Sequence, residues 1–520
     1  MAAHATGADG ASVAPARFGP VTTRLLVVGL DAVEAPLLER LCDAGRLPTL
    51  AALRRSAVTA RLRPACMDLL PGAIWQDLGT GVSVGRHGDY YPQRIHTGEA
   101  VPRSIDAHQH ADRYWWGRAG RAGARVAVVD QPLVPAIRSL PVTLVSEWHV
   151  HDQLWGRGSH PAELLADLEA RHGRRPLDRC DTAHDRTPAG YERWLDHLLR
   201  ELRVKADMAL DLLERDTWDV FDIAFSDGHC AGHQLWDPPA GHPRLEGAVD
   251  EVCAALDAAV GRLMEASGDA VTVLFTSHGM GPYIGGPQLL PVVLARMGMG
   301  DPRRLPPWIR PLLPVGAYQR LAARFPRAGR SLGARLGQRG FHRPGTIAME
   351  VANNRVGAIR LNVVGREPTG AVAPSDVGTV LAAIEAELLA LRHPDLGEPI
   401  VASVVRPAEA YGPDHHPDLP DLLVVFRRDL GPLVGCVGPR SGRVEAGFRR
   451  ADYPRTGDHT DASRLWVTAP GVPPRDLGEA DALDLAPTLL ALLGLPPGPE
   501  MEGRPMEGVL AAVSAWDRGR

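Results

Sequence analysis

The sequence predicts an α/β protein: a doubly wound, mostly parallel sheet with helices on both faces and an inserted cap region. Three observations carry this. Apolar runs of strand length recur at residues 24–30, 220–225 and 271–276. Stretches with helical apolar spacing, such as 35–44, 191–214 and 245–265, separate or follow them. Each run also ends in acidic, hydroxyl or imidazole residues, where open α/β sheets collect ligands.

At 520 residues the chain can bury a sizeable core. A net charge of −5 gives no nucleic-acid footprint. Lys205 is the only lysine. The six cysteines are scattered without a C-x-x-C pair, so they suggest neither a disulfide scaffold nor a structural zinc module. Residues 1–20 are rich in Ala and Gly and read as a disordered tail, not a secretory signal. No apolar run is long enough to span a bilayer. A reduced, cytoplasmic setting without membrane contact is the expectation.

The first strand, residues 24–30, ends at Asp31, which serves equally as a helix cap or a ligand. Helical patterns follow at 35–44 and 47–55. Residues 63–81 form a loop feeding a helix that Pro71 can open, a natural place for an anion. Residues 121–130 read as helix end, turn and strand, and 161–172 and 191–214 as helices. The strand 220–225 leads into Asp227-Gly-His-Cys-Ala-Gly-His233, the stretch that organises the reading. His229 and His233 are four apart and share a face of a helical turn, which suits a metal ion; hydrogen-bonded histidines in a strand-to-helix turn are the plainer alternative. The strand 271–276 is followed by Ser277-His278-Gly279, which exposes an imidazole at the same sheet edge. Residues 285–345 gather Pro and Arg and read as a cap, or equally as a solvated loop region. The core then spans 21–284 and 346–512. A strand and turn are expected at 360–368, strands at 420–426 and 464–467, helices at 380–391 and 481–495, with Gly457-Asp-His459 before the last strand.

These motifs resemble the alkaline phosphatase superfamily, closest to its type I phosphodiesterase/nucleotide pyrophosphatase branch. Gly29-Leu-Asp31 resembles the opening metal aspartate. Trp75 through Thr80-Gly81 and His87-Gly88 resemble the segment after the nucleophile. His229 and His233 resemble the D-x-x-x-H pair, Thr276-Ser-His-Gly-Met280 the S-D-H-G-M motif, and Gly457-Asp-His459 the late G-x-H. Residues 481–495 resemble the closing motif. The resemblance implies an alkaline phosphatase-like fold and a two-metal site. One ion would be held by Asp31, the nucleophile and the S-D-H-G pair; the other by the D-x-x-x-H pair and the late histidine. Two cations brace an in-line displacement at phosphorus.

Three positions depart from that pattern. Ser277 stands where the family has an aspartate, and a hydroxyl brings no charge to a cation. His229 stands where D-x-x-x-H begins, with Asp227 two residues earlier. The nucleophile position falls near Pro71, and no Ser or Thr lies between Thr59 and Thr80. Cys66 and Asp68 are the nearby reactive side chains, although Asp68 also suits a plain helix cap. The expectation is therefore a divalent-metal hydrolase of a small anionic ester, most of all a phosphodiester. Asp31, Asp227, His229, His233, Ser277, His278 and His459 would form the metal set. One or two ions, zinc first with manganese or iron as alternatives, would be bound, and water could replace the side-chain nucleophile. A degenerate binding protein and a phosphoryl or sulfuryl transferase are the other readings.

Overall fold

The computed structural model describes residues 23–173, 187–300, 341, 345–445 and 455–517. The expected tail and most of the expected cap lie outside them. A nine-stranded sheet organises the molecule. Its spatial order is Arg475–Asp481, Val58–Arg63, Leu465–Thr468, Val271–Thr276, Leu25–Leu30, Val220–Phe225, Val126–Val129, Thr143–Ser146 and Gly158–His160. Within it, Leu465–Thr468 and Gly158–His160 run antiparallel to their neighbours, and the other pairs are parallel.

Both faces of the central strands are buried, which is why they read as continuous apolar runs. Alternate residues enter opposite cores: Leu25 and Val27 join one cluster, Leu26, Val28 and Leu30 the other. The first cluster includes Ile74, Trp75 and Leu485. The second includes Leu195, Leu202, Val252 and Leu256, from the helices Pro188–Glu214 and Ala248–Ser267.

A second sheet lies within the 346–512 portion. Ala348–Val351, Gly357–Leu361, Leu422–Phe426 and Val401–Val405 pair antiparallel in that order. It has its own apolar cluster, which takes in Leu290 and Val293 of the helix Leu290–Arg296 and Ile384 of the helix Val377–Leu389. The described start of the cap segment is thus packed into a core.

Two features set up the site. The short strands Gly279–Pro282 and Gly457–Thr460 pair with Met280 opposite His459, which delivers two distant histidines to one place. That hairpin packs on the helix Asp227–Leu235, where a Cβ on Gly232 would stand 2.6 Å from Met280 Cγ. Cys230 on this helix is disulfide-bonded. The bond departs from the expectation of cysteines without disulfides.

Candidate metal centre

Three parallel strands end side by side and present their next residues together. Asp31 N–H bonds the carbonyl of Phe225 (2.9 Å), and Ser277 N–H bonds that of Leu30 (3.0 Å), so the ladder continues to the sheet edge. Ala32 follows with φ of 53°, a left-handed turn unusual for a residue with a side chain. His229 and His233 come from the wholly buried helix Asp227–Leu235. His278 follows Val271–Thr276, and His459 arrives on the hairpin.

The hydrogen bonds assign the imidazole tautomers. His229 Nδ1 lies 2.7 Å from Asp31 Oδ2, and His233 Nδ1 lies 2.9 Å from the carbonyl of Gly457. A carboxylate and a carbonyl only accept, so both Nδ1 atoms carry hydrogen. In neutral imidazoles both Nε2 atoms are then lone pairs, and they face each other at 3.0 Å. Such a pair is satisfied by a shared proton or by a metal ion between the two nitrogens. A carboxylate or carbonyl on one nitrogen and a metal on the other is how ligating histidines are oriented. The residues present therefore fit a divalent cation.

Asp31 is held in turn. Trp75 Nε1 donates to its Oδ1 (2.9 Å), and Ser277 Oγ donates to the same oxygen (3.2 Å). Gly29 makes room for this: a Cβ there would lie 2.7 Å from Trp75 Cη2. His278 Nδ1 bonds Ser277 Oγ at 2.8 Å, and His278 Nε2 lies 2.8 Å from His459 Nδ1. The rings of His229, His233 and His459 stand 4.7 to 4.9 Å apart.

Burial would raise the Asp31 carboxyl, but the charge and hydrogen bond of His229, then His278 and Trp75, hold it well below the usual carboxylate range. Burial pushes His278 down to about 3, against the pull of Asp31. It also pushes His233 and His459 well below the ordinary imidazole value, helped by Arg455 and the neighbouring imidazoles. Neutral imidazoles keep the lone pairs a metal requires.

The structure thus brings together Asp31, His229, His233, Ser277, His278 and His459. Asp227 is placed elsewhere: its carboxylate lies 3.5 Å from His149 Nδ1. Cys66 is buried away from the cluster, its thiol pushed well up by burial and by Asp77, so it is no ready nucleophile. Asp68 is exposed and caps nothing, since Leu70 precedes Pro71–Ala73 and makes no side-chain cap. These three expectations are corrected accordingly. Cys66 and Asp68 are carried by a short 3₁₀ turn, Ala65–Asp68, whereas Asp227 opens the histidine helix with its carboxylate toward His149.

The sequence reading missed His151. Its ring stacks on His229 at 3.9 Å, and it can offer a nitrogen beside those of His229 and His233. The signal was present: the strand Thr143–Ser146 ends at the same edge, and His149 and His151 follow it. A second group, His87, Asp89 and His110, also gathers ligand atoms. There His87 bonds Asp77 through Nε2 (2.7 Å) and accepts the Asp89 N–H through Nδ1 (2.9 Å), while Asp89 pairs with Arg94. This network ties down the loop after His87.

The family model described as type I phosphodiesterase / nucleotide pyrophosphatase matches residues 25–432. The chain belongs to this family. The phosphodiesterase-family chain accordingly has the alkaline phosphatase-like α/β fold, and its family is one of phosphate-ester hydrolases. His459 lies beyond the matched residues. No curated protein sequence matches. Among solved structures, human ectonucleotide pyrophosphatase / phosphodiesterase 5 is 11% identical, with 94% of this chain and 98% of that chain covered at a TM-score of 0.49. Its murine counterpart is 12% identical over 92% and 96%, at 0.47. Phosphonoacetate hydrolase from Sinorhizobium meliloti 1021, in complex with phosphonoformate, is 14% identical over 91% and 96%, also at 0.47.

Proposed function

We propose that this chain is a metal-dependent hydrolase of a small anionic phosphate ester, a phosphodiester above all, with water as the nucleophile. The observation that carries the reading is the pair of ring nitrogens, His229 Nε2 and His233 Nε2, turned toward each other at 3.0 Å by partners on their opposite nitrogens. His229, His233 and His459 would hold the ion, with His151 and His278 in reach. The imidazole set suits zinc, with manganese and iron as alternatives. A bound divalent cation supplies Lewis acidity at the phosphoryl oxygen and acidity to water.

The chain's own residues do the rest. Asp31 orients His229, and Trp75 and Ser277 orient Asp31. Because three donors already engage the Asp31 carboxylate, one ion is favoured over two. Pro71 stands at the nucleophile position and offers no attacking atom. Buried walls around the imidazoles exclude bulk water and strengthen electrostatic attraction to an anion. The absence of a hydroxyl at Pro71 also favours a second reading, a binding protein without turnover.

Metal content and hydrolysis of bis(p-nitrophenyl) phosphate, measured on wild type, His233→Ala and Cys66→Ala, separate these readings. The hydrolase reading expects about one zinc, manganese or iron per chain, lost in His233→Ala with at least ~100-fold of the turnover, and turnover kept in Cys66→Ala. Bound metal without turnover on any phosphate ester would leave the binding protein. No metal after reconstitution would sink the metal reading altogether.

A further inference from the structure

Beside the imidazole cluster a cleft of about 360 Å³ carries two guanidiniums, Arg355 and Arg428. Arg355 is half-buried, and its Nη1 donates to the carbonyl of Met67 at 3.2 Å. Among the described residues, no carboxylate lies within 4 Å of it. Arg428 Nη2 donates to the carbonyl of His459 at 3.2 Å, with the Asp458 carboxylate 3.9 Å away. Two partly desolvated cations on one wall repel each other and lack a full set of acceptors. Asp68, on the same cleft, supplies a single carboxylate against two guanidiniums.

The cleft communicates with the metal centre. Arg428 lines the cleft and donates to the backbone carbonyl of His459, one of the cluster residues. Apart from Asp68, Ser403 and the two arginines, the lining is apolar, with Val356, Val425 and Phe426 among it. A ligand that matches these features has an anionic end for the arginines and a short apolar spacer. Planar guanidiniums bind carboxylate and phosphate through paired N–H donors.

We infer that the cleft between Arg355 and Arg428 binds a second anionic group of the substrate, a carboxylate or phosphate joined by a short spacer to the phosphoryl group at the imidazole cluster. This rests on the hydrolase reading above and narrows it to compact esters with two anionic ends. A neutral or cationic leaving group would leave the arginines unmatched.

The test uses the full-length, metal-reconstituted protein in calorimetric titrations with three probes. Propylphosphonate has one anionic group, carboxyethylphosphonate adds a carboxylate at similar length, and ethylenediphosphonate adds a phosphonate. Wild type should bind one or both doubly anionic probes on the order of tenfold more tightly than propylphosphonate, and the better of the two identifies the second group. Arg355→Gln and Arg428→Gln should each abolish most of that preference, with metal per chain unchanged. Arg355→Lys should restore part of it. An unchanged preference in both Gln variants overturns the clamp and leaves the hydrolase reading standing. Metal-loaded wild type that binds none of the probes also overturns the clamp. Protein that takes up no metal overturns the reading beneath it.

Discussion

At His229 a single carboxylate decides what the imidazole can do. Asp31 fixes the proton on Nδ1 and turns Nε2 toward His233. Asp31→Asn should leave the fold intact but weaken zinc binding about 10- to 100-fold, the usual loss when a ligand's supporting carboxylate is removed. Competition with a chromophoric zinc chelator measures this, and an unchanged affinity would place Asp31 outside the metal centre. Asp222 is a different kind of buried carboxyl. It lies within Val220–Phe225 with Gln131 Nε2 donating at 2.7 Å, and burial pushes its carboxyl up to about 8. The folded chain therefore holds a proton that the unfolded chain, with an ordinary value of about 4, has lost. Stability falls as pH rises from about 4 to about 8 and then levels. Asp222→Asn should remove that slope and stabilise the protein at neutral pH by a few kcal/mol. Denaturation midpoints at two pH values for both proteins check it; parallel pH dependence would refute it.

The loop that brings His151 to the cluster is organised by residues well away from it in sequence. Asp130, at φ of 54°, accepts the N–H groups of Trp148 (2.8 Å) and His149 (2.7 Å). Glu147, at φ of 53°, accepts those of Leu154 (2.6 Å), Trp155 and Gly156. Lys205 closes the arrangement from the helix Pro188–Glu214, 2.9 Å from Asp130 and 3.1 Å from the carbonyl of His149. Lys205→Met should leave Asp130 buried without its cation and cost about 3–5 kcal/mol, the usual penalty for breaking a buried pair. Urea unfolding would show it, and a change below about 1 kcal/mol would mean the loop does not depend on the pair. This arrangement also explains what sequence could convey. His229, His233 and His278 were legible because each follows an apolar strand directly. His151 carried a weaker signal, because it follows its strand only after a turn whose shape depends on Asp130 and Lys205 elsewhere in the chain. The edge strand Arg475–Asp481 was hidden for another reason: its side chains are largely exposed, so no apolar pattern marks it.

Across the whole molecule the imidazole cluster joins segments that the chain keeps far apart: the end of Leu25–Leu30, the helix Asp227–Leu235, and a hairpin whose second strand begins at Gly457. The parallel sheet was legible because its strands are buried on both faces. The second, antiparallel sheet and the disulfide at Cys230 were not, since short strands and lone cysteines carry no partner information. An ion held by histidines from separate segments binds the folded chain far better than the unfolded one. Mass action then stabilises the fold by about 2.7 kcal/mol at a hundredfold excess of metal over its dissociation constant. For a chain of this size that raises the melting temperature by a few degrees at most. Differential scanning calorimetry with added zinc, and again with a chelator, should show the rise and its reversal. His233→Ala should melt at one temperature in both conditions, because the missing Nε2 opens the site. A wild-type melting temperature indifferent to zinc and chelator would mean that the facing imidazoles share a proton, not a metal, and would overturn the metal centre without touching the fold.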